Sequence, residues 1–311
     1  MNGYGEERRE LRFTSNGVEC AAWHYPGSNG ACVIMTSGFA MPKEPGTDRF
    51  ARRFHEAGFS VLAFDYRRLG GSGGRPRGVA TIKDQVADWR AALAFARTLP
   101  GVDAGKIAIW SFSLPGGYIV QVAAQEPGVA AAIAQSPNLD GQAATRNAMR
   151  FTTPLAMLRL TARGVLDALG GLVGRAPLLV PTSGPRGIVA LLSTPDSLDG
   201  TGAIDPDGEY PDWQQVVAAR STLRAGLYRP GRFAAQVRCP LLIVACDGDQ
   251  SALAAPAVRA AGVAPRGELL RVPGGHYAPF LDAHEEVVAA EVAFLRRHLA
   301  VQPSEGKPLA G

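Results

Sequence analysis

Short apolar runs alternate along this chain with stretches in which apolar residues recur every three or four positions. The runs predict strands near 31–36, 60–65, 106–111, 130–135, 240–246 and 267–272. Residues 10–14 and 18–25 suggest an opening antiparallel pair. Between the strands lie helical stripes. Phe50, Phe54 and Ala57 share one face; Ile82, Val86, Trp89, Leu93 and Ala96 share another; Val288, Val292, Leu295 and Leu299 share the last. Strands that are apolar throughout are strands covered on both faces, so the pattern predicts an α/β fold with a mostly parallel sheet between helical layers. Ligands bind such sheets beyond the carboxyl ends of the strands.

The alternation stops between residues 138 and 228, an interval too long for a loop. Apolar helical runs at 155–160 and 165–169 are followed by a Pro/Gly-rich stretch over 176–204 and a helix expected from 213 to 227. The expected organisation is therefore a core in two parts, 1–137 and 229–300, a helical cap inserted at 138–228, and a polar, frayed tail at 301–311. The apolar side chains of the insertion suit either a wall above an acyl or aromatic substrate or an outer packing layer or dimer surface. A homodimer is thus one expected assembly.

Composition narrows the class further. The 311 residues are 46% hydrophobic and 19% charged, enough to bury a full core. The formal net charge of +4 comes from scattered arginines with no interleaved aromatic stripe, so no nucleic-acid partner is expected. No run reaches membrane-spanning length, and the charged stretch Glu6 to Glu10 is no signal-peptide core, so no membrane partner is expected either. Cys20, Cys32, Cys239 and Cys246 lack metal or redox spacing and read as free thiols of a cytoplasmic protein.

The chemistry centres on Ser113. It lies in Ile107-Ala108-Ile109-Trp110-Ser111-Phe112-Ser113-Leu114-Pro115-Gly116-Gly117, where a strand gives way to a helix-compatible stretch. This is the layout of a nucleophile elbow, which lifts a serine hydroxyl above the sheet edge at a helix N-terminus. Ser111 and Pro115 occupy the positions where Gly-x-Ser-x-Gly has glycines. A base and an acid must follow in the order Ser, Asp or Glu, His. His24, His55, His284 and His298 fall within or at the ends of regular elements, whereas His276 follows Pro273-Gly274-Gly275 in a loop after a strand. The acid lies in Asp247-Gly248-Asp249-Gln250, just past the 240–246 strand, where both aspartates are candidates. Too few ligands accompany them for a metal site, and no cofactor is expected. An oxyanion would need two backbone donors. The N–H of Leu114 is one, and the N–H of Phe39, in the loop Ser37-Gly38-Phe39-Ala40, is the other.

With these residues assembled, the chain resembles the α/β-hydrolase superfamily over nearly its whole length. Residues 64–73, Phe-Asp-Tyr-Arg-Arg-Leu-Gly-Gly-Ser-Gly, resemble the superfamily's Asp-x-Arg-Gly-x-Gly-x-Ser stretch, and residues 84–90 with 99–103 resemble the helix and turn before the elbow. Residues 228–233 with Cys239-Pro240 resemble a bacterial and fungal branch of esterases, dienelactone-hydrolase-like proteins and polyketide thioesterase-like enzymes. The resemblance implies an eight-stranded α/β-hydrolase fold with a helical cap and favours Asp249 over Asp247 as the acid. It implies a serine hydrolase of a carboxylic ester or thioester, acting through Ser113, His276 and Asp249. An acyltransferase or cyclase using the same residues, and a non-catalytic binding protein on this fold, stay open.

Overall fold

The computed structural model describes residues 8–211 and 213–299. The tail expected at 301–311 lies outside them. Among the described residues there are ten strands: β1 (Arg9–Ser15), β2 (Val18–Tyr25), β3 (Cys32–Thr36), β4 (Ser60–Phe64), β5 (Ile107–Phe112), β6 (Ala131–Gln135), β7 (Leu179–Pro181), β8 (Val216–Ala218), β9 (Leu241–Cys246) and β10 (Gly267–Val272). The helices are α1 (Lys43–Glu56), α2 (Ile82–Ala96), α3 (Ser113–Gln125), α4 (Gly141–Ala148), α5 (Pro154–Leu172), α6 (Gly200–Ile204), α7 (Ala219–Ala225), α8 (Ala254–Val263) and α9 (His284–Leu299).

Eight strands form one sheet in the order β1-β2-β4-β3-β5-β6-β9-β10. The β1–β2 and β2–β4 pairings are antiparallel and the rest parallel. Every residue of β3, β4, β5, β6 and β9 is buried, as the unbroken apolar runs require of strands covered on both faces. One apolar cluster holds Trp89 of α2, Ile119 of α3 and Ala257 of α8. A second, on the other face, holds Phe50 and Phe54 of α1 with Val287 and Leu295 of α9. No helix among the described residues is long and apolar enough to cross a membrane.

Between β6 and β9 the chain leaves the sheet to form α4–α7 and the small antiparallel pair β7–β8. Here two expectations need correction. The helix expected over 213–227 is only α7, because Val217 of β8 buries itself by pairing with Val180 of β7. The pair also gives structure to part of the Pro/Gly-rich stretch. The second correction concerns α5. Its buried residues are Ala156, Gly164 and Asp167, while Leu158, Val165, Leu166 and Leu169 are exposed, so the run at 165–169 is not a wall facing Ser113.

Polar contacts hold the insertion in shape. Both Asp167 oxygens take guanidinium hydrogen bonds from Arg220, at 2.9 and 2.8 Å, and also accept from the N–H groups of Arg220 and Leu178, each at 2.8 Å. Burial alone would raise the Asp167 pKa, but these donors hold the carboxyl below its ordinary value. Tyr210 donates to Asp48 of α1 at 2.6 Å, tying the insertion to the core.

Candidate active site

β5 runs directly into α3, and Ser113 sits at the turn with φ of +65°, in the left-handed region. Non-glycine residues hold that conformation only where their surroundings enforce it, and such strain concentrates at functional sites. The surroundings here are tight. A Cβ on Gly116 would lie 3.2 Å from the carbonyl oxygens of Ser111 and Gln135, and one on Gly117 would lie 2.6 Å from that of Asn138. Gly116 and Gly117 therefore supply the close approach of helix to neighbouring chain, which leaves Pro115 free to stand inside the first turn, where a missing N–H costs little. Ser111 compensates for its own bulk with hydrogen bonds: its hydroxyl meets Thr36 Oγ1 at 2.7 Å and the Thr36 carbonyl at 3.0 Å.

The loops after β9 and β10 converge on this serine. His276 Nε2 lies 2.9 Å from Ser113 Oγ, and its Nδ1 lies 2.7 Å from Asp249 Oδ2. Asp249 Oδ1 accepts from the N–H groups of Ser251 and Ala252 at 2.9 and 2.6 Å, so the carboxylate cannot rotate away from the ring without breaking both. Phe112 and Tyr277 pack against the imidazole, with centroids at 4.8 and 5.0 Å. Burial pushes the His276 pKa down, but the Asp249 charge and hydrogen bond more than offset this, aided by Asp196, and leave it above the ordinary histidine value.

The remaining candidates separate cleanly. Asp247, the other candidate for the acid, pairs with Arg271 on the surface at 2.8 Å and does not reach the ring. His24 is buried in β2, His284 bonds the Pro279 carbonyl at 3.0 Å, His298 contacts Glu268, and His55 packs against Tyr25. Phe39 lies beside Ser113 in the wall of two cavities. Its N–H has no acceptor among the described residues. The N–H of Leu114 stands in the first turn of α3, where the helix supplies no carbonyl.

Ser113 opens onto both cavities. The larger, about 340 Å³, is lined by Met157, Leu160, Leu191 and Leu223, among others. The smaller, about 50 Å³, runs between Trp213, Gln215 and Tyr277. Asp196, which no sequence signal singles out, joins the site: its carboxylate touches both the loop after β9 and the loop that carries His276. Its local context, Ser-Thr-Pro-Asp-Ser, reads only as a turn.

A mostly parallel sheet of this order, with a serine at the β5–α3 turn, is the architecture of the α/β hydrolases, and the chain belongs to that superfamily. A family model described as serine aminopeptidase, S33, matches residues 27–177. The chain is 34% identical over 307 residues to the quorum-quenching protein AidA of Acinetobacter baumannii (strain MDR-ZJ06), covering 97% of this chain and 99% of that protein. It is 31% identical over 175 residues to a thiohydrolase of Eupenicillium brefeldianum, covering 56% of this chain and 54% of the relative. The crystal structure of the alpha/beta hydrolase GrgF from Penicillium sp. sh18 superposes with a TM-score of 0.78 at 22% identity, covering 94% of this chain and 99% of that one.

Proposed function

We propose that the protein is a serine hydrolase that cleaves a carboxylic ester or thioester through an acyl-enzyme. The observation that carries this reading is the continuous path Ser113 Oγ–His276 Nε2, His276 Nδ1–Asp249 Oδ2, at 2.9 and 2.7 Å. Ser113 Oγ attacks the carbonyl carbon as His276 Nε2 takes its proton. The N–H groups of Phe39 and Leu114 receive the oxyanion. Collapse of the tetrahedral intermediate expels the alcohol or thiol, which takes the proton from His276. Water, deprotonated by the same ring, then releases the acid and frees Ser113. Asp249 fixes the ring tautomer and stabilises its cation. The name of the Eupenicillium relative, a thiohydrolase, supports including thioesters.

In this reading residues 138–228 are a cap on a core formed by 1–137 and 229–300, and the larger cavity takes the acyl group. Met157 and Leu160 line that cavity, whereas Leu158 is 65% exposed. Each methylene buried there is worth about 0.8 kcal/mol, so preference should rise with acyl length until the cavity is full. Met157→Asp is expected to lower kcat/KM for a long acyl ester much more than for acetate. Leu158→Asp should change neither. Equal losses on both substrates for Met157→Asp would assign the acyl group to another space.

The base must be neutral to accept a proton, and the His276 pKa lies above its ordinary value of 6.5. The acid limb of kcat/KM should therefore have its midpoint above 6.5, with activity rising as pH increases through it. A flat profile between pH values of about 5 and 8, with chemistry limiting the rate, would remove the histidine from the mechanism.

The test of the whole reading is a panel of p-nitrophenyl esters and acyl thioesters of graded length, with product analysis in the presence of alcohol and amine acceptors. Labelling with a serine-directed fluorophosphonate runs alongside. Turnover to free acid with labelling at Ser113 supports hydrolysis. Labelling with product only on acceptors would make the protein a transferase. Neither labelling nor turnover would leave a binding protein on a hydrolase fold.

A further inference from the structure

We propose that Asp196, carried on the inserted segment, is a positioning residue for both the acid and the base of the site, so that alignment of Ser113, His276 and Asp249 depends on that segment being docked. The inference rests on the serine-hydrolase reading above.

Asp196 lies in a single 3-10 turn, Pro195–Ser197, far from the site in sequence. One of its oxygens, Oδ2, accepts from the N–H of Gln250 at 2.7 Å and from the N–H of His276 at 3.3 Å. The other, Oδ1, accepts from the Ser251 hydroxyl at 2.9 Å. Gln250 and Ser251 directly follow the acid Asp249, and the N–H of Ser251 is itself one of the donors that fix the Asp249 carboxylate. A single half-buried carboxylate thus bridges the backbone of the β9 loop to the backbone of the base. Thr194 strengthens the joint, with its hydroxyl 2.5 Å from that of Ser251. The fit is close on the histidine side too: a Cβ on Gly275 would meet Asp196 Cβ at 3.1 Å, so a side chain at 275 would push this turn away.

The contact is electrostatic as well as steric. Burial alone would raise the Asp196 pKa, but the Gln250 N–H, the His276 charge and the Thr194 and Ser251 hydroxyls hold it below the usual carboxylate value. An ionised Asp196 favours the imidazolium that forms as Ser113 attacks, in the same sense as Asp249. The other ionisable groups around the ring are fewer than its acidic surroundings suggest. Tyr277 packs on it with a phenol pushed far above its ordinary value, and the Cys246 thiol nearby is raised to about 12. Asp199, Asp282 and Glu286 border an outer cavity of about 320 Å³ that also reaches His276. None of these three bonds the ring or its N–H among the described residues.

Two substitutions separate position from charge. In Asp196→Asn, the amide oxygen can keep the N–H groups of Gln250 and His276 while its NH2 faces Ser251 Oγ, whose hydroxyl then turns to Thr194. Geometry is kept and charge is lost. Asp196→Ala loses both. The expected result for Asp196→Ala is a fall in kcat of about a hundredfold with KM within about twofold, the scale on which a small misplacement of reacting groups acts. Fluorophosphonate labelling should slow by a similar factor yet reach the wild-type end point, which counts the folded molecules. Asp196→Asn should retain most of kcat but move the acid limb of kcat/KM to lower pH. Asp199→Asn, an equal charge change without the hydrogen bonds, should move it far less. If both Asp196 variants label at the wild-type rate with an unmoved pH profile, the inference is wrong while the serine-hydrolase reading stands. If the wild-type protein itself does not label, that reading falls and takes this one with it. Should Asp196→Ala fail to fold, the pH profile of Asp196→Asn decides.

Discussion

Ser113→Ala is expected to lower kcat by about a million-fold on the best ester of the panel and to abolish fluorophosphonate labelling, with the fold unchanged by circular dichroism. The magnitude follows from what the variant loses. On the proposed mechanism, alanine has no oxygen to form the acyl-enzyme, so His276 has no proton to take, and Asp249 then orients a base without a task. Serine, histidine and acid act as one unit, and deleting the nucleophile costs nearly as much as deleting all three. What would survive is water attack on a substrate held by the proposed oxyanion donors, the N–H groups of Phe39 and Leu114. The substitution does not relieve the backbone: alanine at φ of +65° carries the same steric cost as serine. The neighbouring approaches at Gly116 and Gly117 are unaffected. Retention of even a few per cent of wild-type kcat would mean that another group is the nucleophile.

The core was legible in the sequence because its information is local. Each central strand is a run of buried apolar residues, and runs such as 107–112 announce themselves without knowledge of their neighbours. The strand-to-helix turn at Ser113 was legible despite Ser111 and Pro115, since an apolar run gives way there to a helix-compatible stretch. His276 stood out by its glycines. The insertion was harder for the opposite reason. Its determinants are long-range: Asp167 finds Arg220 across 53 positions, and Asp196 finds the His276 N–H across 80. Nothing near either aspartate distinguishes it from an acid on a solvated surface. β7 and β8 have three residues each, too short for alternation to register, and only the pairing with Val180 distinguishes Val217 from a helical position. The apolar stripe of α5 carried a real signal of helix but no signal of which way it faced. Leu158, Val165, Leu166 and Leu169 look outward, and the cavity wall falls to Met157 and Leu160.

Of the two aspartates in the β9 loop, only Asp249 should matter to the chemistry, and by about 10⁴-fold in kcat when changed to asparagine. The reason is a proton count. Asp249 Oδ1 accepts from two backbone N–H groups, so an asparagine at this position must keep its carbonyl oxygen there. Its NH2 then faces His276 Nδ1, which is 2.7 Å from the carboxylate oxygen in the native protein. Two donors cannot meet, so Nδ1 must offer its lone pair and the ring proton moves to Nε2. That nitrogen, 2.9 Å from Ser113 Oγ, can then no longer take the serine proton. The shape of the site is preserved and the tautomer is wrong. Asp247 offers a control one turn of chain away, since its carboxylate pairs with Arg271 at the surface. An exposed pair of that kind contributes at most about 1 kcal/mol to stability and nothing to the ring. Asp247→Asn should therefore keep kcat within about twofold. A loss of turnover in folded Asp247→Asn, with Asp249→Asn active, would reverse the assignment of the acid.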